Sequence, residues 1–161
     1  MLNMKGSAIR WILLALAIVL IDQIAKCAAV AYLEVYQTEY VLPFFNLTLA
    51  FNRGAAFSFL SDSGYANYFF IAFASIVSLV IVAMLARLES RKVLSALSLA
   101  LVLGGAVGNL IDRVRLGFVV DFLDFHAGAY HWPAFNVADS AICIGVLLMF
   151  VDVFLSPSSR T

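Results

Sequence analysis

Four long apolar segments dominate the pattern of hydrophobic and polar positions along the chain. They cover residues 11–30, 66–86, 93–111 and 137–155, and each approaches the roughly 20 apolar residues that a helix needs to cross a bilayer. Because these segments are apolar on all sides, their length rather than a helical periodicity identifies them. The pattern therefore predicts an α-helical integral membrane protein with four transmembrane helices.

The loop at residues 31–65 has a different pattern, because β-branched and aromatic residues recur in it and apolar positions partly alternate at residues 46–51. This pattern is typical of short strands. A small sheet at the membrane surface would pair its own backbone groups without crossing lipid. The second long loop, residues 112–136, contains glycine and proline residues that let the chain turn back. Neither repeats nor linkers interrupt the sequence, so residues 1–161 are predicted to form a single membrane domain.

The distribution of positive charge predicts the orientation of the helices. The positive residues before the first span, between the second and third spans and after the fourth span all fall on one side. These residues are Lys5, Arg10, Arg87, Arg91, Lys92 and Arg160. Since positive residues concentrate in cytoplasmic loops, that side and both termini are predicted to be cytoplasmic. The two long loops face the opposite side and hold Arg53, Arg113 and Arg115, which run against the rule and are predicted to have specific roles.

The first apolar segment has two interpretations. Lys5 and Arg10 precede it, as positive residues precede the apolar part of a secretory signal peptide. A signal peptide ends in small residues at its cleavage site, whereas Asp22, Gln23 and Lys26 interrupt that position here. A retained membrane span is the favoured interpretation.

Composition supports the membrane assignment and argues against a nucleic-acid partner and against metal or disulfide sites. The chain of 161 residues is 64% hydrophobic and 12% charged, with a mean hydropathy of +1.01, whereas soluble domains are about 25% charged. The net charge is zero and no basic cluster occurs, so nucleic acid is not a predicted partner. Cys27 and Cys143 lie in separate apolar segments without metal-ligand spacing, so the sequence predicts neither a metal, another cofactor nor a disulfide framework.

Several polar residues lie within the apolar segments. Asp22 and Lys26 are four residues apart, so a helix places them on one face about one turn apart. They predict a structural ion pair, with the positioning of a functional site as the alternative. In the third span, Gly104 and Gly108 form a pattern of small residues that permits close helix packing.

Three polar residues mark the end of the third span, namely Asn109, Asp112 and Arg113. An interfacial ion pair between Asp112 and Arg113 is one interpretation. Asn109 lies one turn before Arg113 on the same helical face, so the cluster is predicted to brace a site at the outer membrane boundary. Asn136, which precedes the fourth span, is a further candidate for fixing carboxylates or a substrate backbone at this boundary.

Two aspartates carry the strongest indication of chemistry. Asp121 lies in an apolar run after the third span, and Asp139 lies where the fourth span begins, although a carboxylate within a membrane span costs roughly 2.5 to 3.5 kcal/mol. The chain leaves and re-enters the membrane at the same face, so both side chains are predicted to reach one site. In an adjacent pair one carboxyl keeps its proton and the other is ionised, which suits aspartic-type peptide hydrolysis. The start of a helix also favours an anion at Asp139.

Other interpretations remain open from the residues alone. Helix capping or solvation at the headgroups would also explain paired aspartates, and this is the interpretation given to Asp124 and Asp152. His126 and His131 lack the spacing of a zinc peptidase, and no GxSxG or GxGD pattern occurs. A proton-coupled carrier predicts polar groups throughout the membrane depth. A non-catalytic assembly subunit predicts that carboxylate-to-amide changes are mild.

Five sequence blocks occur in a specific order. They are DQIAK at 22–26, NRGAAF at 52–57, GGAVGNLIDR at 104–113, GFVVDF at 117–122 and FNVADSA at 135–141. In these blocks, and over nearly its whole length, the chain resembles the lipoprotein signal peptidases, the signal peptidase II family of aspartic membrane peptidases. One departure is Ala25, where the family commonly has serine or threonine.

The resemblance implies a fold, an activity and a set of site residues. The fold has four transmembrane helices and a small periplasmic β-cradle, and the enzyme lies in the bacterial inner membrane with its active site near the periplasmic face. The activity is removal of the signal peptide from diacylglyceryl-modified prolipoproteins, with cleavage N-terminal to the lipidated cysteine. The resemblance makes Asp121 and Asp139 the catalytic pair. It also implies binding of the peptide antibiotic globomycin, with a pocket for substrate or inhibitor formed and supported by Asn52, Gly54, Gly108, Asn109, Asp112, Arg113 and Asn136.

Overall fold

The computed structural model describes residues 6–54 and 65–155. The described chain forms four helices and four strands. In chain order they are α1 (Gly6–Tyr32), β1 (Thr38–Leu42), β2 (Phe45–Asn52), α2 (Ala66–Arg87), α3 (Val93–Leu116), β3 (Val119–Ala127), β4 (Tyr130–His131) and α4 (Val137–Leu155).

The four helices are long and apolar enough to cross a membrane, which confirms the predicted fold class of a multi-pass helical membrane protein. Many of their large apolar side chains are exposed on the protein surface, where lipid would cover them. The second helix carries no charged residue before Arg87 at its end.

The third helix does not end where the charged residues begin. The sequence placed Asp112 and Arg113 beyond the span, whereas α3 continues through both to Leu116 and buries them. The helix stops only at Gly117, which adopts the left-handed conformation with φ of 81° and donates its N–H to the carbonyl of Arg113. The two charged side chains remain in the helix because other residues of the protein pair with them.

Helix α3 is central, since it packs against all three other helices. Glycines in α3 allow the neighbouring helices to approach it closely. A Cβ atom at Gly104 would lie 2.7 Å from Cβ of Ile18 in α1, and a Cβ atom at Gly105 would meet the carbonyl oxygen of Ala138 in α4. The pattern of small residues therefore brings two different neighbours, α1 and α4, against one helix.

A four-stranded antiparallel sheet has the order β1-β2-β3-β4. The predicted strands in the loop after α1 are confirmed, but the long strand β3 was not predicted. Leu49 of β2 and Val120 and Phe122 of β3 are buried against Ala29 near the end of α1. This small core fixes the sheet to the end of the helix bundle.

We expect Gly105→Ala to destabilise the protein by about 1 to 3 kcal/mol, because the added methyl group has no room between α3 and the backbone of α4. Thermal unfolding in detergent micelles measures the effect. Gly117→Asn is the control, since no atom lies within 4 Å of a Cβ there and asparagine tolerates the left-handed conformation. Equal melting temperatures for Gly105→Ala and the unmodified protein would contradict the proposed close packing.

Candidate active site

Strand β3 and the first turn of α4 bring two carboxylates to one place. Asp121 pairs with Ala50 across the sheet and is only 2% exposed. Asp139 lies in the first turn of α4 and is half-buried. The two elements are adjacent because Phe122 and Leu123 of β3 exchange backbone hydrogen bonds with Phe135, just before α4 begins.

Asn136 joins the two carboxylates. Its side-chain Nδ2 donates to Oδ1 of Asp121 at 2.7 Å. Its backbone N–H donates to Oδ2 of Asp139 at 3.2 Å, while its Oδ1 accepts from the backbone N–H of Asp139 at 2.9 Å. The last two bonds form a reciprocal cap at the start of α4. The residue that begins the helix therefore also holds both acidic side chains.

A second amide donor reaches each carboxylate. Asn52 Nδ2 donates to Oδ2 of Asp121 at 3.0 Å, and Asn109 Nδ2 donates to Oδ1 of Asp139 at 2.8 Å. Each acidic side chain thus accepts hydrogen bonds at both of its oxygens. These contacts hold the carboxyl groups in fixed orientations while leaving Asp139 partly accessible.

The surroundings of Asp121 favour its protonated form. Burial, and next the negative charge of Asp139, raise the pKa of Asp121 to about 7, although the hydrogen bonds from Asn52 and Asn136 and the charge of Lys26 act in the opposite direction. The carboxyl of Asp121 therefore gains or loses its proton as the pH passes through neutrality. A pair with one such group can act as both acid and base.

A buried ionic cluster lies behind the two carboxylates. Lys26 Nζ lies 2.9 Å from Oδ2 of Asp22 and 2.9 Å from Oδ2 of Asp112. The pair of Asp22 and Lys26 is thus part of a larger group than the sequence indicated. Oδ1 of Asp22 accepts from the backbone N–H of Ala138, and Oδ2 of Asp112 accepts from that of Val120. The cluster connects α1 and α3 to the elements that carry Asp139 and Asp121.

Two neighbours complete this cluster. A Cβ atom at Gly108 would lie 2.7 Å from Oδ2 of Asp22, so the glycine makes room for the carboxylate. Gln23 donates to Oδ1 of Asp112 at 2.9 Å and to the carbonyl of Gly108 at 3.2 Å. Sequence reasoning treated Gln23 only as an interruption of the first span, although a second polar residue beside Asp22 was an available signal.

Arg113 and Gly54 form the other side of the site. Nη2 of Arg113 donates to the carbonyl of Gly54 at 3.3 Å, and its guanidinium lies 4.4 Å from the ring centre of Phe70. The backbone N–H of Gly54 donates to Oδ1 of Asn52, which connects this loop to Asp121. Nη1 of Arg113 is buried and has no hydrogen-bond partner among the described residues.

A groove of about 280 Å³ runs between α2, α3 and α4 beside these residues. Its walls are apolar except at its polar end, where Asn109 and Arg113 lie. Asn109 is the donor to Asp139. The polar end of the groove is therefore connected to the carboxylate of Asp139 through Asn109.

Asp124 and Asp152 are not simply solvated, contrary to the sequence interpretation. Asp124 is 6% exposed, lies 2.8 Å from Nδ1 of His131 and accepts a hydrogen bond from Thr48. Asp152 accepts a hydrogen bond from Ser95 of α3. Thr48 and Ser95 are distant in sequence from the aspartates that they contact, so sequence position alone does not reveal these contacts.

Comparison with known proteins shows the family to which this sequence belongs. The family model described as "Signal peptidase (SPase) II" matches residues 14–155. The chain belongs to this family. The resemblance inferred from the five sequence blocks is confirmed, and the protein is a member of a peptidase family.

Named relatives of the signal peptidase II family match over almost their full length. The lipoprotein signal peptidase of Photorhabdus laumondii is 43% identical over 157 residues, covering 97% of this chain and 94% of the relative. That of Burkholderia thailandensis is 47% identical over 148 residues, covering 91% and 89%. A bacterial membrane enzyme solved by the in meso method at 2.3 Å resolution is 32% identical, with a TM-score of 0.83 over 94% of this chain and 92% of that one.

We expect Asn136→Ser to lower the rate of peptide-bond cleavage by about 100-fold or more, because it removes the donor to Asp121. Serine still caps the helix, so α4 should remain folded. Cleavage by purified variants in detergent provides the measurement. Ser140→Ala is the matched control, since Oγ of Ser140 donates only to the backbone carbonyl of Asn136 in the described contacts. If both variants cleave at similar rates, Asn136 does not organise the site.

Proposed function

We propose that this protein is an aspartic endopeptidase that removes the signal peptide from diacylglyceryl-modified bacterial prolipoproteins. Cleavage occurs N-terminal to the lipidated cysteine. The observation that carries the mechanism is the hydrogen bonding of Asn136 to both Asp121 and Asp139. The substrate class is supported by relatives named lipoprotein signal peptidase that match over more than nine-tenths of this chain.

In this proposal the two carboxyl groups divide the proton transfers between them. The ionised one takes a proton from a water molecule, which attacks the carbonyl carbon of the scissile peptide bond. The protonated one donates to the carbonyl oxygen, and a proton is later returned to the departing amine. The pKa of Asp121, about 7, supports a pair in which one proton is retained at neutral pH.

The apolar groove between α2, α3 and α4 supports binding of the signal peptide from the membrane side. At its polar end, Asn109 and Arg113 would hold the substrate backbone, while Gly54 supports Arg113 and Asn52 supports Asp121. Asp112 and Gly108 would support the pocket from behind. The diacylglyceryl chains would remain against lipid-exposed helix surface, where apolar contact favours them. Globomycin is proposed as a ligand of the same pocket.

The proposed orientation follows from the positive charges of the short connections. Both termini would be cytoplasmic, and the sheet and the carboxylate pair would lie near the periplasmic face of the bacterial inner membrane. Arg53, Arg113 and Arg115 then lie on the periplasmic side. The contacts of Arg113 with Gly54 and Phe70 support a specific role for one of these arginines.

We expect Asp121→Asn and Asp139→Asn each to abolish cleavage of a diacylated prolipoprotein, because either change removes one of the two proton-transferring groups. Purified variants in proteoliposomes provide the measurement, with intact substrate detected by its slower electrophoretic mobility. Asp124→Asn is the control, because its partners are His131 and Thr48 rather than the pair, and it should retain substantial activity. Cleavage at the unmodified rate by either dyad variant would refute the aspartic mechanism.

We expect kcat/KM to fall as the pH rises above about 7, by about tenfold per pH unit, because Asp121 loses its proton. The hydrogen bond from Asn52 lowers the pKa of Asp121, so Asn52→Ala should move this alkaline limb to higher pH. Initial rates measured between pH 5 and about 9 test both statements. An alkaline limb that Asn52→Ala moves downward, or does not move, would contradict the assignment to Asp121.

A further inference from the structure

The ammonium group of Lys26 contacts oxygen atoms of three different residues within the membrane part of the protein. The residue is 3% exposed, and its Nζ lies 2.9 Å from Asp22 and 2.9 Å from Asp112. It also donates at 2.8 Å to Oδ1 of Asn109. An ammonium group has three donors, and two of them already face carboxylates, whose combined charge exceeds that of the ammonium. The third bond goes to a neutral amide whose other end contacts Asp139.

The amide of Asn109 can point in only one direction. Its Oδ1 faces Lys26 Nζ at 2.8 Å and Asn136 Nδ2 at 3.2 Å, and both of these groups are donors without acceptor capacity. Its Nδ2 consequently faces Oδ1 of Asp139 at 2.8 Å. In the reversed orientation, an NH₂ group would face two donors and an oxygen would face a carboxylate, which is unfavourable on both sides.

From this arrangement we infer that Lys26 is a positioning residue for the reaction, which fixes the amide of Asn109 so that it donates to Asp139. The inference rests on the proposed function and adds a residue of α1 to the machinery of α3, β3 and α4. The ammonium also polarises the amide it binds, which strengthens the next hydrogen bond in the row. Without Lys26, Asn109 is free to turn and Asp139 loses a fixed donor.

The alternative is that Lys26 only balances the buried charges of Asp22 and Asp112. Lys26→Met keeps the apolar stem and removes the ammonium, so it removes both the charge pairing with the aspartates and the hydrogen bond to Asn109. A second variant, Lys26→Met with Asp112→Asn, removes one positive and one negative charge and leaves the net charge of the cluster unchanged. The alternative predicts that this second variant is as active as Asp112→Asn alone, whereas positioning through Asn109 predicts that it is less active.

A kinetic cycle with Asn109 provides the decisive measurement. We expect Lys26→Met to lower kcat for prolipoprotein cleavage by about tenfold or more, with KM changed less than about twofold. In an Asn109→Ala background, Lys26→Met should reduce kcat by less than about twofold further, because the contact through which it acts is already gone. Losses that multiply in the double variant would overturn the inference. So would a charge-balanced variant with the kcat of Asp112→Asn alone.

The pH profile gives a readout that a purely structural role does not produce. The positive charge of Lys26 lowers the pKa of Asp121, so Lys26→Met should move the alkaline limb of kcat/KM to higher pH. Asp112→Asn removes a negative charge near the site and should move it to lower pH or leave it in place. A shift in the same direction for both variants would indicate general disruption and contradict the specific role of Lys26.

Failure of this inference is distinguishable from failure of the proposed function. If Asp121→Asn and Asp139→Asn are inactive while Lys26→Met and Asn109→Ala act independently, the aspartic mechanism stands and the role of Lys26 does not. Thermal unfolding of each variant in detergent identifies loss of folding. If Lys26→Met alone does not fold, the charge-balanced variant carries the comparison with the Asn109→Ala background.

Discussion

The hydrogen bonds of Asn136 are the interaction on which the site depends. This fully buried residue starts α4, donates to Asp121 of β3 and exchanges two bonds with Asp139. A buried donor or acceptor without a partner costs about 1 to 3 kcal/mol, so the start of the helix, the strand and the two carboxylates stabilise one another. One side chain thus connects local helix capping with the chemistry of a peptidase family.

The helix bundle is built so that polar groups can be buried at this position. Gly108 leaves space for the carboxylate of Asp22, and Gly105 brings α4 close enough for its first turn to reach the cluster. Asp22 and Asp112 then accept from the backbone of α4 and β3 as well as from Lys26. Charges within a membrane protein require such partners. The same contacts therefore compensate the cost of burying these charges and orient the side chains of the candidate site.

The sequence predicted the helices well because the length of an apolar segment reports directly on the thickness of the membrane. It placed the end of α3 too early, since the burial of Asp112 and Arg113 depends on Lys26 and Gly54, which are distant in sequence. Strand β3 was missed because its two aspartates interrupt the apolar alternation, and the partners of Asp124 come from Thr48 and His131. The ordered sequence blocks identified the members of the candidate site, but only the fold shows which side chains contact one another.

The length of α4 has a consequence for how the protein sits in its bilayer. Its described residues, Val137–Leu155, extend about 29 Å, close to the roughly 30 Å of a hydrocarbon core. The described part of α1 has 27 residues and extends about 40 Å, so this helix fits the same bilayer by tilting or by extending beyond the hydrocarbon core. Since the cap at Asn136 ties Asp139 to the first turn of α4, the depth of that carboxylate follows the position of this helix in the bilayer.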